Sequence, residues 1–396
     1  MDVVAKSGPN DFQKSRSEYL VFGQPLIEEA EIEEVVRSLR AAWLGTGPKV
    51  AKFEKLVAEY KCVPYAVAVN SCTAGLHLAC VALGIGPGDE VIAPAMTFCA
   101  TINSIVHAGA KPVLVDVERD TFNIDPEQVR KAISARTKAI MLVHFAGRAC
   151  KMDLLLSLAR EHKLKIIEDC AHAIETEYQG CKAGTIGDCG VLSFYSTKNV
   201  VTGEGGMVLT TDGKLANRVK ILALHGMSHD AWKRFSDDGY KHYEVVEFGF
   251  KYNMMDLQAA IGIHQIQRVD EYWHKRLRIW EKYNSALVDL PVTLPARFEV
   301  EAKHGLHLYT ILVDESESGV TRDAFMTALH RRNIGTGVHY RSIASHPVYQ
   351  QNLGWRPENY PNSDAIGRST VSLPLSAKLI EKDVDDVIAA VRDVLT

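Results

Sequence analysis

Between residues 65 and 196, short apolar runs alternate with stretches whose apolar residues recur at helical spacing. Residues 65–70, 90–95 and 112–117 are typical of buried strands, whereas residues 73–83 and 98–108 have the pattern of helices. Strands that are joined through helices run parallel, because a parallel pair needs a long crossover connection. The alternation therefore predicts an α/β fold in which a mostly parallel sheet lies between layers of helices.

The alternation continues to about residue 226 and then weakens. Further strands are predicted at residues 139–145, 165–170 and 190–196, with helices at 126–134 and 152–162. Beyond about residue 226 we predict one or more long helices within 257–287, a strand at 306–313 and helices at 321–332 and 383–394. This change divides the chain into a loose N-terminal arm (1–18), a large domain (19–265) and a smaller C-terminal α+β domain (266–396).

Charge and composition exclude several classes of partner. The net charge of −4 gives no bulk attraction to nucleic acid or to anionic lipid, and no apolar run approaches the ~20 residues that span a bilayer. The first 18 residues lack the apolar core of a signal peptide. None of the eight cysteines forms a C-x-x-C pair. We therefore expect a cytoplasmic protein without a metal site.

Ligands of such sheets bind beyond the carboxyl ends of the strands, and three segments there carry polar groups. The strand at 165–170 ends in Glu168 and Asp169, which could also merely cap the next helix. Lys198 follows the strand at 190–196, where a lysine is often only a surface residue, and a glycine-rich turn follows it at 203–206. Residues 70–75 lie between a strand and a helix, where backbone amides suit a phosphate, although ordinary loops look similar.

Together the three segments meet the needs of one cofactor. A lysine amine can form a Schiff base with an aldehyde, and a carboxylate can keep a pyridine nitrogen protonated. A helix N-terminus can hold a phosphate group. These groups match pyridoxal 5′-phosphate (PLP), whereas no G-x-G-x-x-G follows the first strand to indicate a dinucleotide.

The chain resembles the nucleotide-sugar aminotransferases of the DegT/DnrJ/EryC1/StrS family, which are fold-type I PLP enzymes. The resemblance runs from about Leu20 to the C-terminus and rests on six motifs in order, at residues 43–48, 70–75, 168–172, 193–198, 203–206 and 249–254. It implies a seven-stranded type of sheet in the large domain. One branch of the family carries histidine in place of the cofactor lysine and performs dehydration, so Lys198 favours transamination.

The resemblance also implies roles for individual residues. Lys198 would carry PLP and shuttle a proton between the amino donor and the cofactor, and Asp169 would pair with the pyridinium nitrogen. Phe98 would stack on the ring, unless it is plain core packing. His172 would lie near the phenolic oxygen of the ring.

Other implied roles concern the phosphate and the substrate. Thr73, Ala74 and Ser193 would hold the phosphate of PLP or of its aminated form, PMP. Asn253 would reach that phosphate from the neighbouring subunit, which requires a homodimer with its active site at the subunit interface. The candidates for substrate binding are His339, Arg341, Lys251 and Tyr340, although Arg341 could equally be an ordinary surface arginine.

The expected reaction moves an amino group from L-glutamate, leaving 2-oxoglutarate, to a keto group of a nucleoside-diphosphate-linked deoxy sugar. It would serve the biosynthesis of amino sugars for lipopolysaccharide, another surface polysaccharide or a glycoside. Residues 143–147 and 249–253 resemble the C4-aminating branch, although His144 could merely orient a loop. A C3-keto sugar, another cyclic ketone of the aminocyclitol type and a PLP-fold regulator without turnover remain alternatives.

Overall fold

The computed structural model of the chain describes residues 16–228 and 243–396. The predicted N-terminal arm, residues 1–18, lies outside the described part except for its last three residues. In that end Arg16 forms ion pairs with Asp383 and Asp386, both at 2.7 Å. These contacts join residue 16 to the C-terminal helix.

The described residues form a central seven-stranded sheet in the order β1-β9-β8-β5-β4-β2-β3. Strand β9 runs antiparallel to both of its neighbours, and the remaining pairs are parallel. The predicted mostly parallel sheet of an α/β fold is therefore confirmed. In chain order the strands are β1 (Tyr65–Val69), β2 (Glu90–Pro94), β3 (Lys111–Val115), β4 (Thr137–Val143), β5 (Lys165–Cys170), β6 (Glu177–Tyr178), β7 (Cys181–Lys182), β8 (Cys189–Ser193), β9 (Gly206–Thr210), β10 (Val292–Thr293), β11 (Ala302–Lys303), β12 (Tyr309–Val313) and β13 (Thr370–Leu373).

Helices cover both faces of this sheet. In chain order they are α1 (Glu29–Arg40), α2 (Pro48–Lys61), α3 (Cys72–Ala82), α4 (Cys99–His107), α5 (Pro126–Ala132), α6 (Met152–His162), α7 (Gly213–Ala223), α8 (Asp256–Gln267), α9 (Val269–Leu287), α10 (Glu315–Ser318), α11 (Arg322–Arg331), α12 (Pro347–Leu353), α13 (Pro361–Ser369) and α14 (Glu381–Leu395). On one face Leu76 of α3 packs in a cluster with Val91 and Val191, and on the other Leu155 of α6 packs with Ile92 and Leu142. Side chains of successive strand residues thus enter opposite cores.

Strand β9 is the strand of the seven-stranded sheet that the periodicity did not predict. Its first residue, Gly206, belongs to the glycine-rich turn, and a Cβ there would lie 2.6 Å from the backbone of Ser71. The glycine is thus required by the close approach of two backbones. The strand predicted at residues 190–196 ends earlier, at Ser193, so Lys198 lies in a loop beyond the strand.

The C-terminal part of the chain has its own core. Strands β10, β12 and β13 form an antiparallel sheet, and a second cluster includes Trp280, Tyr309, Phe325 and Val387. Helix α8 contacts α1 and α2, whereas α9 contacts α14. This change of partners supports a boundary near residues 265 and 266, which stays a prediction.

Among the described residues, no helix combines the length and the apolar character that crossing a bilayer requires.

Candidate active site

A cavity of about 510 Å³ opens where the carboxyl ends of β5 and β8 meet the N-termini of α3 and α4. The site residues predicted from the sequence that line it are Thr73, Phe98, Asp169, His172, Ser193, Lys198, His339 and Tyr340. They come from five separate stretches of the chain. The fold therefore brings most of the predicted site into one place, as expected for strand ends of a parallel sheet.

Lys198 lies in the loop after β8, with its amine inside the cavity. Burial lowers the pKa of this amine to about 8, and the charge of Asp169 only partly opposes the effect. With a pKa of about 8, roughly a tenth of the amine is unprotonated at pH 7, against less than one in a thousand for an ordinary lysine. An unprotonated amine is the nucleophilic form that attacks an aldehyde.

Asp169 and Glu168 are neighbours in β5, and their side chains have different surroundings. Asp169 lines the cavity and accepts hydrogen bonds from Thr101 Oγ1 at 2.8 Å and from the backbone N–H of Ala171 at 3.1 Å. Burial raises the pKa of Asp169, while these two donors and the charge of Lys198 oppose the rise. A buried carboxylate that lines a cavity is suited to pair with a pyridinium N–H.

Glu168 lies outside the lining of the cavity. Its oxygens accept hydrogen bonds from the backbone N–H groups of Gly184, Ile186 and Gly187, at 2.7, 2.8 and 2.7 Å, and pair with His144 Nε2 at 2.9 Å. Burial alone would raise the pKa of Glu168, but its hydrogen bond and charge interaction with His144 and the backbone donors lower it overall. Glu168 thus fixes the loop between β7 and β8.

His144, Glu168 and Cys170 also place potential metal-ligand atoms within 4.8 Å of one another. His144 Nδ1 accepts the N–H of Cys150 at 3.1 Å, and its Nε2 is engaged by Glu168. The ring nitrogens of His144 and the oxygens of Glu168 are thus already engaged inside the protein. We read the cluster as structural.

His172, Tyr340 and Phe98 form an aromatic wall of the cavity. His172 Nδ1 accepts the backbone N–H of Ala146 at 3.2 Å, so the proton of the neutral ring sits on Nε2, which faces Tyr340 Oη at 3.1 Å. Burial and the charge of Lys198 lower the pKa of His172 well below its ordinary range. Phe98 is 56% exposed and its ring centre lies 5.8 Å from that of Tyr340, so core packing does not account for Phe98.

The predicted phosphate-binding residues differ in their placement. Thr73, in the first turn of α3, and Ser193, at the end of β8, line the cavity. Ala74 does not; it is buried, and its N–H donates to the hydroxyl of the capping residue Ser71 at 3.1 Å. The N-terminus of α3 therefore faces the cavity through Ser71, Cys72 and Thr73.

Besides Ala74, three predicted residues lie outside the cavity lining of their own chain. Asn253 Nδ2 donates to Thr46 Oγ1 at 2.7 Å, and Asn253 is not part of the cavity lining. Lys251 and Arg341 are exposed and also outside the lining, whereas His339 lines it and bonds Ser372 Oγ at 2.8 Å through Nδ1. Burial lowers the pKa of His339 to about 3.

The sequence analysis assigned no role to several residues that contact the site. Thr101 and Cys72 donate to Asp169, the latter from Sγ at 3.9 Å, and His307 Nε2 lies 3.4 Å from Lys198 Nζ. Thr101 lies on the inner face of α4, so a helical projection from Phe98 could have found it. His307 lies 109 positions from Lys198, and only the folded chain joins them.

Comparison with known proteins places these features in a family. A model of the DegT/DnrJ/EryC1/StrS aminotransferase family matches residues 25–392. The chain is 46% identical over 383 residues to the spore coat polysaccharide biosynthesis protein SpsC of Bacillus subtilis (strain 168), with 96% of this chain and 98% of the relative covered. It is 44% identical over 381 residues to protein MJ1066 of Methanocaldococcus jannaschii, with 96% and 99% covered.

Solved structures agree with this sequence comparison. Spr1654 of Streptococcus pneumoniae, named for a sugar aminotransferase activity, superimposes in its PMP form with a TM-score of 0.88. The two chains are 33% identical, and the match covers 95% of this chain and 97% of the other. The PLP form of the same protein gives a TM-score of 0.87 at 32% identity, with 96% and 100% covered.

Proposed function

The chain belongs to the DegT/DnrJ/EryC1/StrS aminotransferase family, and from that membership we propose that it transfers the amino group of L-glutamate to a keto group of a nucleoside-diphosphate-linked sugar. Its cofactor is PLP, as in the PLP and PMP forms of the similar Spr1654. The observation that carries the proposal is the pairing of a lysine amine of lowered pKa with a buried aspartate in one cavity.

The residues of the cavity fit this cofactor. Lys198 supplies the amine, Asp169 the buried carboxylate, and Ser71 and Thr73 the N-terminal turn of α3. Phe98 offers an exposed aromatic face within the same cavity. When bound, PLP supplies an electron sink that stabilises negative charge on the carbon next to the amino group.

Each residue then has a task that follows from its surroundings. Lys198 holds and moves the proton that travels between donor carbon and cofactor, because its lowered pKa allows both charge states near neutral pH. Asp169 would keep the ring nitrogen of PLP protonated. The hydrogen bonds from Thr101 and from the Ala171 N–H hold Asp169 in place. His172, neutral and with Nε2 protonated, donates a hydrogen bond in the cavity wall.

The charges that line the cavity suit the sugar part of the proposed substrate better than its diphosphate. Among the described residues that line it, Lys198 is the one lysine or arginine, and Phe98, Tyr195 and Tyr340 supply aromatic surface. A diphosphate would need cations that the cavity itself lacks, and Arg341 lies next to the lining residue Tyr340 at the exposed edge. We therefore place the sugar inside and the nucleotide outside, with Arg341 as a candidate contact for the diphosphate or for the donor carboxylate.

For the position of the keto group we propose C4 of a 4-keto-6-deoxy hexose or of a 4-keto pentose. The segments at residues 143–147 and 249–253 support this, because they resemble the C4-aminating branch of the family. Val143 lines the cavity, whereas His144 is buried and bonded to Glu168, so His144 acts as a support. The similarity to SpsC supports a pathway that builds a surface polysaccharide.

The proposed reaction is tested by substrate screening. We expect the purified protein with PLP and L-glutamate to convert a UDP-, GDP- or dTDP-linked 4-keto sugar into a 4-amino sugar, with the new C–N bond located by NMR. Matched 3-keto nucleotide sugars and a cyclitol ketone serve as controls. Turnover of only a 3-keto sugar would contradict the C4 assignment, and turnover of the cyclitol alone would contradict the sugar substrate.

The surface around Asn253 supports the proposal of a homodimer. Phe248 is 97% exposed, and Trp43, Leu44 and Met255 are each at least 44% exposed. Trp43 and Leu44 lie near Met255, because Trp43 bonds Thr46, and Thr46 bonds Asn253 and Met254. Phe248 precedes this segment in the same stretch of chain. Large apolar side chains exposed together mark an interaction surface. We propose that a second copy of the chain covers it and that Asn253 reaches the partner's phosphate site.

Mixing two inactive variants tests the shared site. Lys198→Ala lacks the cofactor amine, and Asn253→Ala would lack the phosphate contact in the partner's cavity. In a heterodimer one of the two sites then has both residues intact, so we expect the mixture to recover up to about a quarter of wild-type activity per protein. The measurement is the rate of 2-oxoglutarate release after subunit exchange.

Two controls accompany the mixing experiment. Exchange is verified with two affinity tags, and a mixture of Lys198→Ala with Lys198→Arg should remain inactive. If verified heterodimers show no recovery, both residues act within one chain and the shared site is wrong.

A further inference from the structure

A buried chain of hydrogen bonds ends on the amine of Lys198. Within residues 16–228 and 243–396, the one side-chain hydrogen bond of Lys198 joins its Nζ to His307 Nε2 at 3.4 Å. His307 Nδ1 in turn bonds Asn199 Oδ1 at 3.0 Å. Asn199 Nδ2 donates to Glu175 Oε2 at 2.8 Å, and Glu175 pairs with Arg276. His307, Glu175 and Arg276 are each less than a tenth exposed.

The partners of Asn199 determine which nitrogen of His307 carries the proton. Asn199 Nδ2 donates to Glu175 and also to the carbonyl of Gly305 at 2.8 Å, and both of these oxygens can only accept. The amide oxygen of Asn199 must therefore face His307 and accept from Nδ1–H. In a neutral imidazole this leaves the lone pair on Nε2, directed at the amine of Lys198.

The surroundings of His307 keep its ring neutral. Burial lowers the pKa of His307 well below its ordinary range, and the nearby charge of Lys198 adds to the effect. The titratable and charged groups that face the Lys198–His307 pair are Cys72, Asp169, His172, His339, Glu175 and Arg276. The ring therefore remains an acceptor at the pH at which Lys198 changes charge.

We propose that His307 is a positioning residue for the proton transfer by Lys198, and that the Arg276–Glu175–Asn199 chain selects the tautomer that allows it. When the amine of Lys198 is free of the cofactor, His307 Nε2 accepts a hydrogen bond from one N–H group of the amine. The remaining lone pair or proton of the amine then points into the cavity. Without this acceptor the long lysine side chain would sample several rotamers, most of them unproductive. The inference rests on the proposed function, since it assumes that Lys198 transfers the proton.

Two variants of His307 separate acceptance of a hydrogen bond from the filling of space. His307→Phe keeps the ring volume and loses the acceptor, whereas His307→Gln loses the ring and keeps an acceptor near the position of Nε2. We expect single-turnover amino transfer from glutamate to fall by about 100-fold in His307→Phe, as for a displaced catalytic group. In His307→Gln the fall should stay within about tenfold.

A second readout does not depend on turnover. Cofactor-free protein is mixed with PLP between about pH 6 and 10, and the product on Lys198 is trapped with borohydride and located by mass spectrometry. The wild-type rate should rise with pH to a midpoint near the amine pKa of about 8. His307→Phe should lower this midpoint, because a neutral acceptor stabilises the charged amine, and His307→Gln should restore it.

The results distinguish three cases. A His307→Phe protein with the wild-type transfer rate and the wild-type pH midpoint overturns the inference. The inference is also overturned if His307→Phe and His307→Gln are equally slow and both keep the wild-type midpoint, because His307 would then act only by filling space. If wild-type protein takes up no PLP on Lys198, the proposed function fails and this inference with it.

If His307→Phe does not fold, Asn199→Ala replaces it as the test variant. This variant removes the tautomer selection while Lys198 and His307 remain, so its amino transfer should slow by about tenfold. An unchanged rate overturns the inference.

Discussion

Replacing Lys198 with alanine is expected to lower amino transfer by about 10⁴-fold or more, because the variant loses both the nucleophilic amine and the group that moves the proton. The fold should persist, since Lys198 lies in a loop and its one side-chain bond among the described residues is the 3.4 Å contact to His307. The measurements are the rate of 2-oxoglutarate formation and the absorbance of lysine-bound PLP, which should be missing. Thermal unfolding should resemble that of the wild type.

Lys198→Arg is the matched control for charge. It keeps a cation in the cavity but cannot attach the cofactor covalently, so it should be as inactive as Lys198→Ala. A Lys198→Ala protein that still transfers the amino group at near the wild-type rate would contradict the assignment. An arginine variant with substantial activity would show instead that only the positive charge matters.

Replacing Asp169 with asparagine is expected to lower kcat by about 10²- to 10³-fold with little change in KM, because a neutral amide cannot stabilise the protonated ring nitrogen. Asparagine is nearly isosteric: its oxygen can accept from the Ala171 N–H, and its NH₂ group can donate to Thr101 Oγ1, whose hydroxyl can then donate to Thr97 Oγ1. The loss should therefore be chemical rather than structural. The half-reaction with glutamate alone measures it, and an unchanged rate would mean that Asp169 is only structural.

The adjacent carboxylate offers a matched control for this variant. Glu168→Gln places an NH₂ group among four hydrogen-bond donors to Glu168, and should cost about 3 kcal/mol of stability with a Tm lowered by a few degrees. Its kcat should stay within a few fold of the wild type, because Glu168 does not line the cavity. Of these two substitutions at adjacent positions in β5, Asp169→Asn should thus lower activity with little loss of stability. Glu168→Gln should lower stability with little loss of activity.

Much of the candidate site was predictable because strand ends are marked locally. Asp169, Ser193 and Lys198 follow apolar runs, and Thr73 opens a helix, so the alternation of elements placed all four at one edge of the sheet. The family motifs then suggested their roles. Two candidates lie outside the cavity lining: the N–H of Ala74 is used by Ser71, and Arg341 is exposed next to the lining residue Tyr340.

The surroundings of a side chain were not predictable from its position in a motif. Period-two alternation says that Glu168 and Asp169 point to opposite faces of β5, but it does not say which face holds the cavity. His144 belongs to a segment that resembles a substrate-side motif, yet it is buried against Glu168. Such distinctions depend on which helix covers which face of the sheet.

The sequence by itself determined the class of fold, most helices and strands, and the two residues on which the proposed chemistry depends, because periodicity and motifs are properties of neighbouring residues. Only the tertiary structure decided the antiparallel insertion of β9 and the convergence of Glu175, Asn199, Arg276 and His307 behind the lysine. These four residues lie up to 132 positions apart in the printed chain. Contacts at such separations arise from the packing of whole elements, and no local pattern encodes them.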